Sequence, residues 1–524
     1  MNLATLLLQQ ADKIPHTTAI IDARRQPATH LSYAELAAAT ARAAGVLHGC
    51  GLRAGDKTLL LIPMSAELYI ALGAVLRLGM TVVLIDPAMG HERMQQCIRQ
   101  VQPNAFIGTA AAHLLRLRLP ALRQIPHHFS SDLPVLGARR LLRGDTPAYA
   151  YIAPVASDAP ALITFTSGST GQPKATLRSH RLLLAQHAAL HDSLDLVGGV
   201  VEFSSLPVFV LGNLAMGGTS LIPPGKLRHP ARVVPAPLVA QIQRQGVRRI
   251  IASPALLERL GDYCQQRGIR LEQVQAIYSG GGPVLPRLLR QMQQVAPHAR
   301  ITTVYGSTEA EPVAQIAVDD LGPTDWAQMA QGRGLLVGAP VPMIEVRIVP
   351  DGGKPSLPAF ASRAAFEAHC LPAGCVGEIV VRGEHVLPGY LDAAQTQRAY
   401  FGVAGQRWYR TGDAGYLDGA GRLWLLGRCA ARIRDAAGTL YPFSVEVAAL
   451  HTAGIQRAAL VQHAGRRVLV VQADARLVNA AALAALRERL AWARLDAVRQ
   501  WAHIPVDARH NTKVDYARLR SGLG

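Results

Sequence analysis

Ala66 to Leu78 reads as a buried helix and Thr81 to Ile85 as a strand, and Asp86-Pro87 ends the apolar run at once. Arg77 sits inside that run, and a charge there argues against a membrane span. What remains is one helix-to-strand step of a parallel sheet covered on both faces. The step recurs. Lys57 to Ile62, Ala105 to Ile107, Ala161 to Phe165, Arg249 to Ala252, Ala276 to Tyr278 and Ile301 to Val304 are short apolar strands, mostly separated by helical patterns. Such alternation predicts an α/β fold with mainly parallel sheets packed with helices. After Leu335 the texture changes to β-branched, Gly- and Pro-punctuated runs (Ile344 to Val349, Gly377 to Val381), which predict a β-rich subdomain. A last α+β unit begins near Arg428, with strands at Ala458 to Gln462 and Val468 to Gln472 and a helix from Ala480 to Arg494. At 524 residues the chain is long enough for two or more domains.

The charge is less ordinary: Lys and Arg number 54 against 36 acids, a net of +18. That balance invites a polyanion or an anionic membrane as partner. Yet only 5% of residues are aromatic, and the arginines are dispersed apart from short groups such as Arg139-Arg140 and Arg248-Arg249. A specific nucleic-acid binder interleaves clustered cations with aromatics, so a non-catalytic basic protein binding nucleic acid or membrane is the remote reading. The six cysteines are spread without a metal-like double pair, and the apolar run after Met1 is too short for a signal peptide. Both point to the reducing cytoplasm.

Strand Ala161 to Phe165 runs into Thr166-Ser167-Gly168-Ser169-Thr170-Gly171-Gln172-Pro173-Lys174. Hydroxyls, two glycines and a lysine directly after a buried strand form a loop able to aim backbone N–H groups and side-chain donors at a polyphosphate. The Walker A pattern is excluded, because Lys174 is followed by Ala175 and the glycine spacing differs. A solvated Ser/Gly turn is the plainer alternative. Against it, the loop claims one of only six lysines in the chain.

Thr166 to Lys174 resembles the signature loop of the adenylate-forming superfamily of acyl-CoA synthetases, luciferases and peptide-synthetase adenylation domains. Further segments are similar in the same order. Ser279-Gly280-Gly281-Gly282-Pro283 resembles its adenine-side glycine turn, Tyr305-Gly306-Ser307-Thr308-Glu309 its aromatic-Gly-x-Thr-Glu motif, and Tyr409-Arg410-Thr411-Gly412-Asp413 its ribose-binding motif. Leu426-Gly427-Arg428 resembles the interdomain hinge, and Lys513 falls where a C-terminal catalytic lysine is expected. The resemblance implies an N-terminal adenylation domain, residues 1–427, with acyl and ATP sites, and a small mobile α+β lid, residues 428–524, carrying Lys513.

Each motif also has a physical reading. Tyr305, after strand Ile301 to Val304, would place its ring at a strand's carboxyl end and offer an apolar face to adenine. Thr308 supplies a hydroxyl for the α-phosphate, and Glu309 is a hard oxygen ligand suited to Mg²⁺. Asp413 can accept hydrogen bonds from both ribose hydroxyls. Taken singly, these residues would more often be a core tyrosine, a surface acid and a turn-capping aspartate. In this order they imply attack of a small-molecule carboxylate on the α-phosphorus of ATP, with Mg²⁺ on Glu309, Thr308 and Lys513 stabilising the charge that builds on phosphate oxygens. Lys174 and Arg428 complete the nucleotide-binding set.

Three departures bear on the step after adenylation. Ala175 stands where the family usually has Gly, valine stands in Leu206-Pro207-Val208-Phe209-Val210 where many acyl-CoA ligases have His or an aromatic, and Cys429-Ala430-Ala431 lacks the common hinge acid. The ending Pro505-Val506-Asp507-Ala508-Arg509-His510-Asn511-Thr512-Lys513 resembles that of olefin β-lactone synthetases, as does Gln102 to Gly108 with Ala112-His113-Leu114. That subgroup implies a fatty or β-hydroxy fatty acid whose own hydroxyl expels AMP and closes a four-membered lactone, with no need of CoA. The alternative is an AMP-forming fatty acid–CoA ligase. Apolar, small-residue segments at Val208 to Leu214 and Tyr278 to Gly282 suit an aliphatic acyl chain. Such an enzyme would work beside partner enzymes of a lipid or natural-product pathway.

Overall fold

Helix Ala66–Arg77 is capped by Ser65, whose hydroxyl accepts the Leu68 N–H at 3.1 Å, and it delivers the chain to strand Thr81–Leu84. Arg77 is buried here, and its guanidinium donates to the carbonyls of Tyr149 and Ala150 at 2.8 and 2.7 Å. A buried charge is tolerated because those two oxygens solvate it. The computed structural model describes residues 1–25, 27–142, 146–167, 173–225, 230, 233–353, 356–474, 478–506 and 514–523. Among them no helix is long and apolar enough to cross a membrane.

Packing divides the chain into two units. The first comprises Met1–Leu227, Ala236–Ile251 and Glu384–Gln397. Its larger sheet has seven strands in the order Arg139–Arg140, His127–Ser130, Ala105–Gly108, Lys57–Leu61, Thr81–Leu84, Pro160–Ser167, Pro173–Ser179. All neighbours are parallel except the last pair. Alternate residues of one strand serve different cores: Leu60 packs with Tyr69, Leu72 and Val75, whereas Leu59 and Leu61 pack with Val83, Phe106 and Ile163. Burial on both faces is why these strands read as unbroken apolar runs. A second group of parallel strands, Val201–Ser204, Thr219–Ile222 and Thr18–Asp22, supports helix Pro207–Ala215. Arg249 ties that helix down from the buried side, donating to Glu202 at 2.6 Å and to Asn213 at 2.9 Å. Phe209, Val210 and Leu214 are buried, while Val208 is exposed.

The second unit comprises Arg228–Pro235, Ala252–Gly383 and Arg398–Gly524. Strands Ala276–Gly280 and Arg300–Ser307 are parallel. From there the sheet is antiparallel through Ala310–Ala317, Leu335–Pro340, Leu423–Arg428, Gln406–Leu417, Gly377–Gly383 and Ile344–Val349. Parallel pairing therefore dominates the first unit, whereas the β-rich part is antiparallel from the two-residue turn Thr308-Glu309 onward. Within this unit the C-terminal region forms a three-stranded sheet, Ile455–His463, Arg466–Ala473 and Ala497–Trp501, over its own core of Val445, Leu460, Leu469 and Leu486. The helix expected to reach Arg494 ends at Arg489. A 3₁₀ turn, Ala491–Ala493, and a left-handed Arg494 (φ 50°) then redirect the chain into the last strand.

Candidate active site

The glycine turn closes strand Ala276–Gly280, whose Gly280 lies in register with Val304 of strand Arg300–Ser307. A Cβ on Gly280 would stand 2.6 Å from the Val304 carbonyl oxygen, closer than contact allows, and Gly281 has φ +76°. These two positions accept glycine for different reasons, proximity in one and a left-handed backbone in the other. Gly282 continues the turn.

The strand expected to stop at Val304 runs on to Ser307, so Tyr305 lies within it and not beyond its end. Hairpin pairing with Ala310–Ala317 pulls those residues into the sheet, with Tyr305 opposite Ala314 and Ser307 opposite Ala310. Thr308 and Glu309 are the connecting turn, and Glu309 is buried. The Tyr305 hydroxyl donates to Asp413 Oδ2 at 2.8 Å. On its other oxygen, Asp413 Oδ1 meets Arg428 Nε at 3.1 Å. Arg428 is the cross-strand partner of Asp413, and its guanidinium also donates to the Thr411 carbonyl at 3.0 Å. The Asp413 backbone N–H is held by the Thr411 hydroxyl at 3.0 Å, and that hydroxyl donates to the Ile379 carbonyl at 2.8 Å. Burial, and then the Asp413 charge, push the Tyr305 phenol well above its ordinary range, so it stays a donor. The Asp413 carboxylate raises Arg428 in turn. Tyr409 is pushed up by burial and by the nearby Glu309.

Gly281, Gly282, Tyr305, Asp413 and Arg428 all line one cavity of about 630 Å³ in this unit. Trp326, Met329 and Leu335 supply apolar walls. Phe443, Glu446 and Tyr516 line it from the C-terminal region. A largely apolar cavity with a few convergent polar groups is the form that small-molecule sites take.

In the first unit, strands Pro160–Ser167 and Pro173–Ser179 pair antiparallel with Thr166 opposite Lys174 and Ser167 opposite Pro173. Gly168, Ser169, Thr170 and Gly171, which connect them, lie outside the described residues. The Lys174 ammonium sits 5.0 Å from the centre of the Tyr390 ring. Tyr390 is held there by a bridge to Thr176 and by the neighbouring Leu391 N–H, which donates to the Ala175 carbonyl at 3.0 Å. Lys513 also lies outside the described residues. Just past it, Val514 bridges to Val506, and Tyr516 donates to Glu446 at 2.7 Å.

Residues 7–391 match the family model described as AMP-binding enzyme. The chain belongs to the AMP-binding family. It is 34% identical over 515 residues to an olefin beta-lactone synthetase of Stenotrophomonas maltophilia, covering 93% of this chain and 90% of that one. It is 28% identical over 452 residues to an indoleacetate–CoA ligase of Aromatoleum aromaticum, covering 85% and 82%. The fold is that of the amide bond synthetase McbA from Marinactinospora thermotolerans, with a TM-score of 0.82, 21% identity and 99% of both chains covered. As a member of the AMP-binding family this chain is an adenylate-forming, AMP-forming ligase that uses ATP.

The donor set fits a magnesium ion brought with the nucleotide. Glu309 presents one buried hard carboxylate, and among the described residues no group of three or more His, Cys, Asp or Glu side chains forms a protein cage. Mg²⁺ takes one or two carboxylates when waters and substrate phosphates fill its remaining positions, and a single carboxylate is compatible with that demand. Reading motifs alone misses Tyr390, Phe443, Glu446 and Tyr516. None belongs to a recognisable signature, and the nearest hint was the position of Tyr516, three residues after Lys513.

Proposed function

We propose that this ligase adenylates a fatty or β-hydroxy fatty acid and then closes a β-lactone. The observation that carries the reading is the Tyr305–Asp413–Arg428 arrangement on a mainly apolar cavity, in a chain 34% identical along nearly its whole length to an olefin beta-lactone synthetase. In this reading Asp413 receives the ribose hydroxyls, Gly280, Gly281 and Gly282 flank adenine, and Thr166, Ser167, Gly168, Ser169, Thr170, Gly171 and Lys174 receive the phosphates. Glu309 would hold Mg²⁺, whose charge offsets that of the phosphates. Thr308 donates to the α-phosphate.

A carboxylate oxygen of the substrate attacks the α-phosphorus and the bond to the bridging oxygen breaks, releasing pyrophosphate. Lys513 orients the carboxylate and stabilises charge on the phosphate oxygens as residues 428–524 close as a lid. The substrate's β-hydroxyl oxygen then attacks the acyl carbonyl, its proton passes to solvent, and the acyl–oxygen bond to AMP breaks. Product and AMP leave with atoms balanced and no thiol consumed. The absence of a hinge acid at Cys429-Ala430-Ala431 suits a cycle with no second nucleophile to admit.

A second reading, transfer of the acyl group to CoA, is favoured by the similarity to an indoleacetate–CoA ligase. Incubating the protein with ATP and a β-hydroxy fatty acid, with and without CoA, separates the two by product mass. The expected product is the acid less one water, formed equally in both samples. A strict CoA requirement, with product mass shifted by a thioester, would overturn the lactone.

A further inference from the structure

At one edge of the seven-stranded sheet four large aliphatic side chains face solvent: Leu114 at 65% exposure, Leu117 at 81%, Leu133 at 64% and Leu136 at 98%. Leu114 and Leu117 open and close the 3₁₀ turn Leu114–Leu117, and residues three apart in such a turn share a face. Leu133 and Leu136 come after strand His127–Ser130. Two contacts hold these segments side by side. The Arg116 guanidinium donates to the Leu136 carbonyl at 3.2 Å, and Asp132 Oδ1 accepts the Ala110 N–H at 2.8 Å. Single exposed leucines are ordinary on a protein surface. Here, however, four of the five exposed leucines among the described residues fall within one short stretch.

The same stretch is basic. Between residues 110 and 142 the charged side chains are Arg116, Arg118, Arg123, Arg139 and Arg140, against Asp132 alone. Among the described residues none of the five arginines is ion-paired, and Arg118, Arg123, Arg139 and Arg140 are exposed. Asp132, which accepts the Ala110 and Leu133 N–H groups, offsets one of these charges and leaves the stretch strongly basic.

We propose that this edge is a docking surface for an anionic lipid bilayer. Leucines enter the boundary between headgroups and acyl chains while the long arginine stems let guanidinium groups reach lipid phosphates, and charge complementarity selects an anionic leaflet. The chemistry disfavours other partners. The stretch exposes no Phe, Tyr or Trp on which nucleic-acid bases could stack. Protein interfaces likewise draw much of their energy from Trp and Tyr, which this stretch does not expose, and make little use of leucine as a hot spot.

Vesicle flotation of the full-length protein tests this. With vesicles of phosphatidylcholine containing about 30% phosphatidylglycerol, co-flotation should exceed that with phosphatidylcholine alone at least about fivefold. Salt at about 0.5 M NaCl should reverse most of the gain, because the Debye length then falls to a few ångströms. The double variant Leu117→Glu/Leu136→Glu should lose flotation at least about fivefold. The triple variant Arg118→Ser/Arg139→Ser/Arg140→Ser, which keeps the leucines, should lose the dependence on phosphatidylglycerol. ATP–pyrophosphate exchange with a short soluble acid should be unchanged in both. No flotation of the unaltered protein would overturn the proposal, as would flotation indifferent to both variants. So would light scattering showing that the leucines are buried in a dimer that Leu117→Glu/Leu136→Glu dissolves.

Discussion

Asp413 is gripped from two sides, with Tyr305 on one carboxylate oxygen and Arg428 on the other, so its position is set before any nucleotide arrives. Hydrogen bonds to charged groups contribute about 1.5–3 kcal/mol, or roughly ten- to a hundredfold in binding. Asp413→Ala should therefore raise KM for ATP at least about tenfold. Tyr305→Phe removes only the hydroxyl that orients the carboxylate, and should raise KM for ATP by a smaller factor while kcat changes little. Steady-state kinetics with varied ATP checks both, and an unchanged KM in Asp413→Ala would remove the residue from the ribose site. The sequence motifs single out both residues as candidates. Their mutual contact was not legible, since 108 positions separate them and only the register of the sheet brings them together. For the same reason the apolar pattern alone left Tyr305 just past a strand's end. The hairpin that absorbs it depends on pairing with Ala310–Ala317, which its own apolar pattern does not encode.

Among the elements, the parallel half of the fold was legible because doubly buried strands must be apolar at every position, as Leu59, Leu60 and Leu61 are. What stayed hidden is how the C-terminal segment is tied down. Glu446, in helix Pro442–Ala449, accepts through one oxygen both the Leu460 N–H at 2.9 Å and the Tyr516 hydroxyl at 2.7 Å, joining three elements. Burial pushes its carboxyl up to about 7. An acid whose folded pKa exceeds its unfolded value keeps a proton that the unfolded chain has released, so its contribution is fully present below about 4.5 and is lost as pH rises to about 7. The ceiling on this loss is about 3 kcal/mol. Glu446→Gln keeps the shape and an acceptor but cannot ionise. Its melting temperature relative to the unaltered protein should therefore rise between pH 5 and pH 8 and level off above, as thermal unfolding across that range would record. A difference independent of pH would show that Glu446 does not titrate on unfolding.

Across the whole molecule, the surplus of +18 gave no direction by itself, because most arginines are spread over the chain and several are spent internally, as Arg249 on Glu202 and Arg410 on Glu378. The scarce lysines were more informative, since two of the six fall in nucleotide motifs. They should fail differently when removed. Replacing Lys174, proposed to meet phosphate already in the ground state, should weaken ATP binding, as calorimetry on Lys174→Ala would show. Lys513, proposed to act from the lid, meets the phosphate oxygens only as charge develops on them, and a contact made only in the transition state changes rate and not affinity. Lys513→Ala should lower pyrophosphate release at least about a hundredfold, the scale of losing one preorganised donor. Its dissociation constant for ATP, read by calorimetry, should stay within about threefold of the unaltered protein. Loss of ATP binding in Lys513→Ala would place the lysine among the nucleotide-holding groups instead, and unchanged pyrophosphate release would leave adenylation to the cations and donors that remain.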